Sequence, residues 1–581
     1  MLLFVLEPEI SATEVLKGLG EIFDLAPGEH ARERLTYLDT FDWRLHEADL
    51  TLTVSSHGRG VRLALLAHDE RRWEARAPRI PHFGRDLPPG PFREALESVS
   101  SIRRLLPKAR VRWDVEEFAL LNEDDKTVVR VRIRIGQAAL PDTRETGSVA
   151  TRLELVPLKG YEGELKKALT VLRKTFHLKP QDRRELSVVL EALGRAPGDY
   201  SSSFKLDLDP DLRSHEAARA IHRCLLDTME ANQEGMIQDL DPEFLHDFRV
   251  AIRRTRSALA QVPGVFPEAV VQHFEEEFRW LGERTGPTRD MDVYLLKIPG
   301  YRKALPEDAR DHLEPLVGFL SKKKRLEHQR MVRSLGSKRY GRLVEEWKAF
   351  LQAPAERDTD SHVRNAARPI GTVAAERIWK SYRKVLKRGR KIDRKTSPET
   401  LHRLRIDCKK LRYLMTFFQS LFPTKALKPL IKEVKSLQDN LGDFNDLYVQ
   451  RAALLGFAGE MMATEAAPPA TLMAMGQLMG QLEASQSVEG EAFRARFERF
   501  AREKNQERFR RLFDGKKDEA PQESASAPAP EEAAPRAPNL TADAEAETDD
   551  AGRTPDPERA EAETADPGRP PPDPERAEAA P

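Results

Sequence analysis

The chain has 581 residues, length for two to four domains, and its two cysteines, Cys224 and Cys408, are too few and too far apart for a disulfide framework or a zinc site. That cysteine usage fits a reducing cytosol, Met1–Glu7 lacks the basic start of a secretory signal, and no run of about 18 apolar residues predicts a membrane span. The formal charge of zero conceals a division: residues 518–581 hold 18 acidic and 5 basic residues and residues 1–200 hold 32 of each, so residues 201–517 carry a net +13, which implies an anionic partner.

Residues 1–195 read as mixed α and β. Val128-Val129-Arg130-Val131-Arg132-Ile133-Arg134-Ile135 alternates with period two and predicts a strand with three arginines on one face. Leu50–Val54 and Val61–Leu65 predict two more strands, joined through Ser-His-Gly-Arg-Gly as a hairpin. Arg152–Val156 predicts another, and a helix is expected near 162–176. Residues 196–212 begin with an Ala-Pro-Gly-Asp-Tyr-Ser-Ser-Ser stretch and read as a linker.

From 213 to 513 the pattern is helical and duplicated. Pro242-Glu243-Phe244-Leu245-His246-x-x-Arg249-Val250 recurs 156 residues later as Pro398-Glu399-Thr400-Leu401-His402-x-x-Arg405-Ile406. The register then holds without a gap: Arg253 and Arg254 match Lys409 and Lys410, Arg256 matches Arg412, Phe266-Pro267 matches Phe422-Pro423, Gly286 matches Gly442, and Asp290 matches Asp446. Thirteen of 52 positions from 242 to 293 are identical, against about three expected from average residue usage. Each repeated helix opens on a capping residue, Asp241 or Ser397, followed by proline and glutamate, and is expected to stop near Phe-Pro. The halves fall at about 213–350 and 365–513, each expected to hold four or five antiparallel helices. Residues 514–581 are rich in Pro, Ala, Glu and Asp and are expected to be disordered.

On a helical wheel with His246 at zero, Arg249 falls near 300°, Arg253 near 340° and Arg256 near 280°, a stripe roughly 80° wide. His402, Arg405, Lys409 and Arg412 repeat it, and Arg254 and Lys410 adjoin the two stripes. Lys380 and Lys384 belong to a third basic face, with Arg377, Arg388 and Lys391. One basic stripe is ordinarily a solvated helix face, and Asp290 and Asp446 could pair with arginines as plain structure. The excess of +13 is more than two aspartates neutralise. Guanidinium forks suit phosphate oxygens, and a long stripe suits a polymeric anion. Nucleic acid is not expected, because the stripes hold little to stack on bases beyond Tyr382 and Tyr413.

These residues carry a resemblance. The two histidine–arginine helices, with Arg289-Asp290-Met291-Asp292 and Leu441-Gly442-x-x-Asn445-Asp446 downstream, resemble the CHAD domain, the conserved-histidine α-helical domain. The resemblance implies two pseudo-symmetric helical bundles, a basic central channel, binding of inorganic polyphosphate, and placement in the cytoplasm, at polyphosphate granules. It puts His246, Arg249, Arg253, Arg254 and Arg256, with their second-copy partners, at the binding positions.

Tyr37-Leu38-Asp39-Thr40-Phe41-Asp42 is similar to a segment of the CYTH family, the triphosphate tunnel enzymes, over roughly 1–195. That resemblance implies an α+β fold with an antiparallel tunnel-like β-barrel. The family's Glu-x-Glu-x-Lys metal motif is absent from Met1–Glu9, Thr51, Thr53 and Ser55 stand where basic residues are expected, and Glu154 stands alone. The expected fold is therefore a degenerate tunnel-like barrel, then all-α duplicated bundles, then a disordered tail. The leading function is polyphosphate binding without catalytic residues, metal or cofactor. The alternatives are a magnesium- or manganese-dependent triphosphatase and a nucleic-acid or protein scaffold. Charge reversal at Arg249 and Arg405 is expected to weaken polyphosphate binding more than reversal at Arg130 and Arg132.

Overall fold

The computed structural model describes residues 2–69, 71–141, 143–180, 185–353, 363–393 and 396–514. The expected disordered tail lies, but for Asp514, outside the described residues. The chain divides into two compact units, with the boundary between Ser202 and Ser203.

The first unit is one antiparallel sheet. Its strands are β1 (Leu2–Val5), β2 (Asp24–Asp39), β3 (Leu50–His57), β4 (Gly60–Ala67), β5 (Arg72–Ala77), β6 (Leu106–Leu121), β7 (Thr127–Ala139) and β8 (Thr146–Pro157). They lie in the order β1-β8-β7-β6-β2-β3-β4-β5. β1 and β5 are the edges, so the expected tunnel is an open half-barrel rather than a closed one. Period-two alternation specifies faces and pairing but not closure, which depends on the two edges meeting. The β3–β4 hairpin turns on Gly58 and Arg59 alone, since His57 already pairs with Gly60.

Helices α1 (Ala12–Gly20) and α4 (Glu162–Lys174) cover one side of the β1-β8-β7 end, burying Val129, Val131, Ile133, Leu153 and Leu155. Ser11 and Glu14 form a reciprocal capping box that starts α1. The short α2 (Arg44–Glu47) and α3 (Pro91–Ser100) pack with β3 and β4 around Leu52, Leu63 and Leu96. Helix α5 (Glu185–Glu191) packs Leu186, Val188 and Val189 against Tyr37, Val111 and Trp113. Gly136 is required there: a Cβ on it would sit 2.5 Å from the Trp113 ring.

The second unit is helical, and its duplication is visible element by element. The first half holds α6 (Ser214–Ile237), α7 (Pro242–Gln261), α8 (Glu268–Ala304), α9 (Glu314–Leu335) and α10 (Lys338–Gln352). The second holds α11 (Ile370–Gly389), α12 (Pro398–Phe417), α13 (Thr424–Ala463), α14 (Pro469–Phe500) and α15 (Glu503–Phe513). The first three helices of each half begin 156 residues apart. Asp241 caps α7 as expected, its carboxylate accepting from the Glu243 amide at 2.9 Å. Ser397 does not cap α12; its hydroxyl lies 3.3 Å from Thr400 Oγ1 instead. α7 and α12 stop at Gln261 and Phe417, short of Phe-Pro. The repeated Phe-Pro corner instead starts the next helix and anchors an aromatic cluster, with Phe266 against Phe350 at 5.0 Å and Phe422 against Phe513 at 4.8 Å.

The halves are not separate bundles. Met291, Tyr294 and Ile298 of α8 and Leu316 and Leu320 of α9 share one core with Leu454, Phe457 and Met461 of α13 and Met475 and Leu478 of α14. Among the described residues, no helix is long and apolar enough to cross a membrane.

Candidate functional site

Helices α7 and α12, the two copies of the histidine–arginine helix, pack against each other. Between them opens a cleft of about 260 Å³. From α7 it takes Arg253, Arg256, Ser257 and Ala260, which follow one another at helical spacing. α12 supplies Arg405, Ile406, Lys409, Lys410 and Tyr413. α8 adds Arg279 and the one acidic lining residue, Glu275. Six cations thus face one carboxylate.

The charge in this cleft is legible in Tyr413. Burial alone would raise the pKa of its phenol, but Arg253, Lys409, Arg412 and Arg254 outweigh that and bring it down to about 8.

Arg249 and Arg405 hold the frame together. Each is 2 % exposed. Arg249 Nη1 donates to Gly282 O at 2.6 Å and to Thr285 Oγ1 at 2.7 Å, tying α7 to α8. Arg405 Nη2 lies 3.5 Å from Asp446 Oδ1, tying α12 to α13. The repeated glycines Gly286 and Gly442 are the backbone positions opposite the two guanidiniums. Burial pushes the Asp446 carboxyl up to about 7, although Arg405, Lys297 and Lys409 all pull it down.

The two histidines are equivalent in sequence but not in chemistry. Arg289 Nη2 donates to His246 Nδ1 at 3.1 Å, so that nitrogen is an acceptor and the ring carries its proton on Nε2. At the equivalent place α13 offers Asn445, whose Oδ1 lies 2.7 Å from His402 Nδ1 and makes it a donor. Neither histidine lines the cleft.

Of the residues expected from sequence, the cleft gathers Arg253, Arg256, Arg405, Lys409 and Lys410. Arg254 lies 5.9 Å from the Phe204 ring, and Arg412 Nε donates to Gln438 Oε1 at 2.8 Å. Lys384 pairs with Asp407 at 2.9 Å, and Arg388 shares the same carboxylate. Lys380 is exposed on α11, outside the cleft. Sequence reasoning passed over Arg279 although its repeat partner, Lys435, is also basic. In sequence Tyr413 stands out only as one of the few aromatics beside the stripes.

In the first unit, the arginines that alternate along β7 are ion-paired. Arg130 and Arg132 reach Glu117 at 3.5 and 2.7 Å. Arg134 reaches Glu33 at 3.1 Å, Glu154 at 3.3 Å and Glu185 of α5 at 3.0 Å. Among the described residues, no group of three or more His, Cys, Asp or Glu side chains is placed to hold a metal ion.

Comparison with known proteins bears on the helical unit. Residues 219–455 match the family described as the CHAD domain. Among solved structures, the chain is similar to the CHAD domain from the plant Ricinus communis, at 27 % identity over 51 % of this chain and 96 % of that one, with a TM-score of 0.42. It is also similar to PptA from Streptomyces chartreusis, at 16 % identity over 50 % of this chain and 99 % of that one, with a TM-score of 0.36. No curated protein matches the sequence. The cleft-lining residues from Arg253 to Tyr413 all fall inside the matched stretch, and residues 219–455 are a CHAD domain.

Proposed function

We propose that the helical unit binds inorganic polyphosphate in the α7–α12 cleft. One observation carries this reading: both copies of the repeat, with Arg279 of α8, turn six cations into a single cleft that holds one glutamate. Arginine forks and lysine ammoniums complement phosphate oxygens, and the cleft's single aromatic side chain offers little to stack on bases. Such binding would place the protein on polyphosphate granules in the cytoplasm.

For the N-terminal unit we infer a degenerate tunnel domain of the CYTH kind. Its eight antiparallel strands and the Tyr37–Asp42 segment support this, and the arginines along β7 are ion-paired to carboxylates of the same unit.

Titration of the full chain with long-chain polyphosphate tests the first proposal. Affinity is expected to fall log-linearly with salt, with a slope near −0.7 for each phosphate contact, as for a single-stranded polyanion. Polyphosphate is expected to displace DNA, and DNA to displace polyphosphate poorly. A flat salt response would refute the cleft as a polyanion site.

A further inference from the structure

We propose that Tyr413 is a direct ligand of the polyanion in the α7–α12 cleft, its phenol donating a hydrogen bond to a phosphate oxygen, and that this contact makes binding decline in alkaline solution. The inference rests on the polyphosphate reading above and deepens it.

Tyr413 lies on the cleft face of α12, one turn beyond Lys409 and two beyond Arg405. Its ring is held by stacking on Phe417, with centroids 6.2 Å apart, and by the Arg412 guanidinium at 5.9 Å. Its hydroxyl makes no hydrogen bond to any described residue. Most of the cleft's other donors are cationic nitrogens, with the Ser257 hydroxyl beside them, so Tyr413 adds a second neutral O–H to the lining.

All but one of the charged groups around it are cations. α7 contributes Arg253, Arg254 and Arg256; α12 contributes Arg405, Lys409, Lys410 and Arg412; α8 contributes Arg279 and the lone acid Glu275. These cations make the phenol an unusually acidic and therefore strong donor. A phosphate oxygen accepts and has no proton to offer, so it complements the neutral phenol. The phenolate would place a negative charge against the phosphate and lose the donor.

The ligand binds the protonated phenol, so the contribution of Tyr413 to affinity is constant below about pH 8, where the phenol of the unliganded protein titrates. Above it, that contribution falls by up to on the order of tenfold per pH unit, one proton being linked to binding. Bound polyphosphate in turn raises the phenol's pKa.

The experiment compares the full-length chain with Tyr413→Phe, each titrated with long-chain polyphosphate at fixed salt from neutral to alkaline pH. All other titrating groups are common to both, so the difference between the profiles isolates Tyr413. The unaltered chain is expected to lose affinity more steeply than Tyr413→Phe above pH 8. In the ultraviolet, a phenolate band absent from Tyr413→Phe is expected to emerge near pH 8 and to move upward when polyphosphate is added. Parallel profiles, or a phenolate titration that polyphosphate leaves unmoved, would overturn the proposal. Should the variant fold poorly, the phenolate titration of the unaltered chain decides alone. The two readings fail separately. If Arg253→Ala with Lys409→Ala leaves affinity unchanged, the cleft itself is refuted. If that pair weakens binding while Tyr413 gives no signal, only the role of Tyr413 falls.

Discussion

Replacing Arg253 and Lys409 together by alanine is expected to lower affinity for long-chain polyphosphate about 10- to 100-fold at low salt, two solvated contacts at about 0.7–1.4 kcal/mol each. The two side chains come from opposite copies of the repeat and meet across the cleft. Both are half-buried, and Lys409 draws down the buried Asp446 carboxyl, so unfolding stability should fall by about 1 kcal/mol, less than at the anchors Arg249 and Arg405. The slope of log affinity against log salt should become shallower by about 1.4, two contacts at about 0.7 each. The matching control is Arg130→Ala with Arg132→Ala in the first unit, where both arginines are engaged with Glu117. That pair is expected to leave polyphosphate affinity unchanged. Calorimetric titration at three salt concentrations measures the affinities and slopes and urea unfolding the stability, and equal losses of affinity in both pairs would place the site elsewhere.

The second large effect concerns folding. Arg405→Ala would leave the Asp446 carboxyl, 3 % exposed, beside a cavity with its near partner gone. Breaking a buried pair in this way is expected to cost about 3–5 kcal/mol. Arg249→Ala removes two charge-assisted bonds in the other half, to Gly282 O and Thr285 Oγ1, while the Thr285 hydroxyl keeps its own bonds to Leu281 O and Gly282 O; a cost of about 1.5–3 kcal/mol is expected. Urea unfolding of each variant checks both values; a change below 0.5 kcal/mol at either site would contradict the anchoring role. It follows that charge reversal at Arg249 and Arg405 is a poor probe of binding, because it would disturb the frame before it disturbed the cleft. Arg253 and Lys409 separate the two effects.

The duplication could be read from the sequence because its register never slips between 242 and 293, and helix starts repeat with the same offset. The stripe of His246, Arg249, Arg253 and Arg256 could be drawn on a wheel, but the wheel does not know its neighbours. α8 lies over the N-terminal part of that stripe and takes up Arg249 and His246, through Thr285 and Arg289. The C-terminal part faces α12, so only Arg253 and Arg256 reach the cleft. Helical spacing identifies a face; which helix covers each stretch of it depends on contacts distant in sequence. Arg279 was missed for the same reason, since it arrives on a different helix. In the first unit, alternation located β7 and its two faces. That Arg134 meets Glu185 depends on α5 packing beside Trp113, which no strand pattern encodes.

The core shared by α8, α9, α13 and α14 makes the two halves mutually dependent. A fragment ending at residue 353 would bare Tyr294, Ile298 and Leu320 to water, and one starting at 363 would bare Phe457, Met461 and Leu478. Each piece alone should aggregate, whereas the two produced together should find each other and restore polyanion binding. Gene duplication therefore did not leave two autonomous modules on a string: the later copy became the missing wall of the earlier one, and split-protein complementation is the assay in which that dependence would be seen.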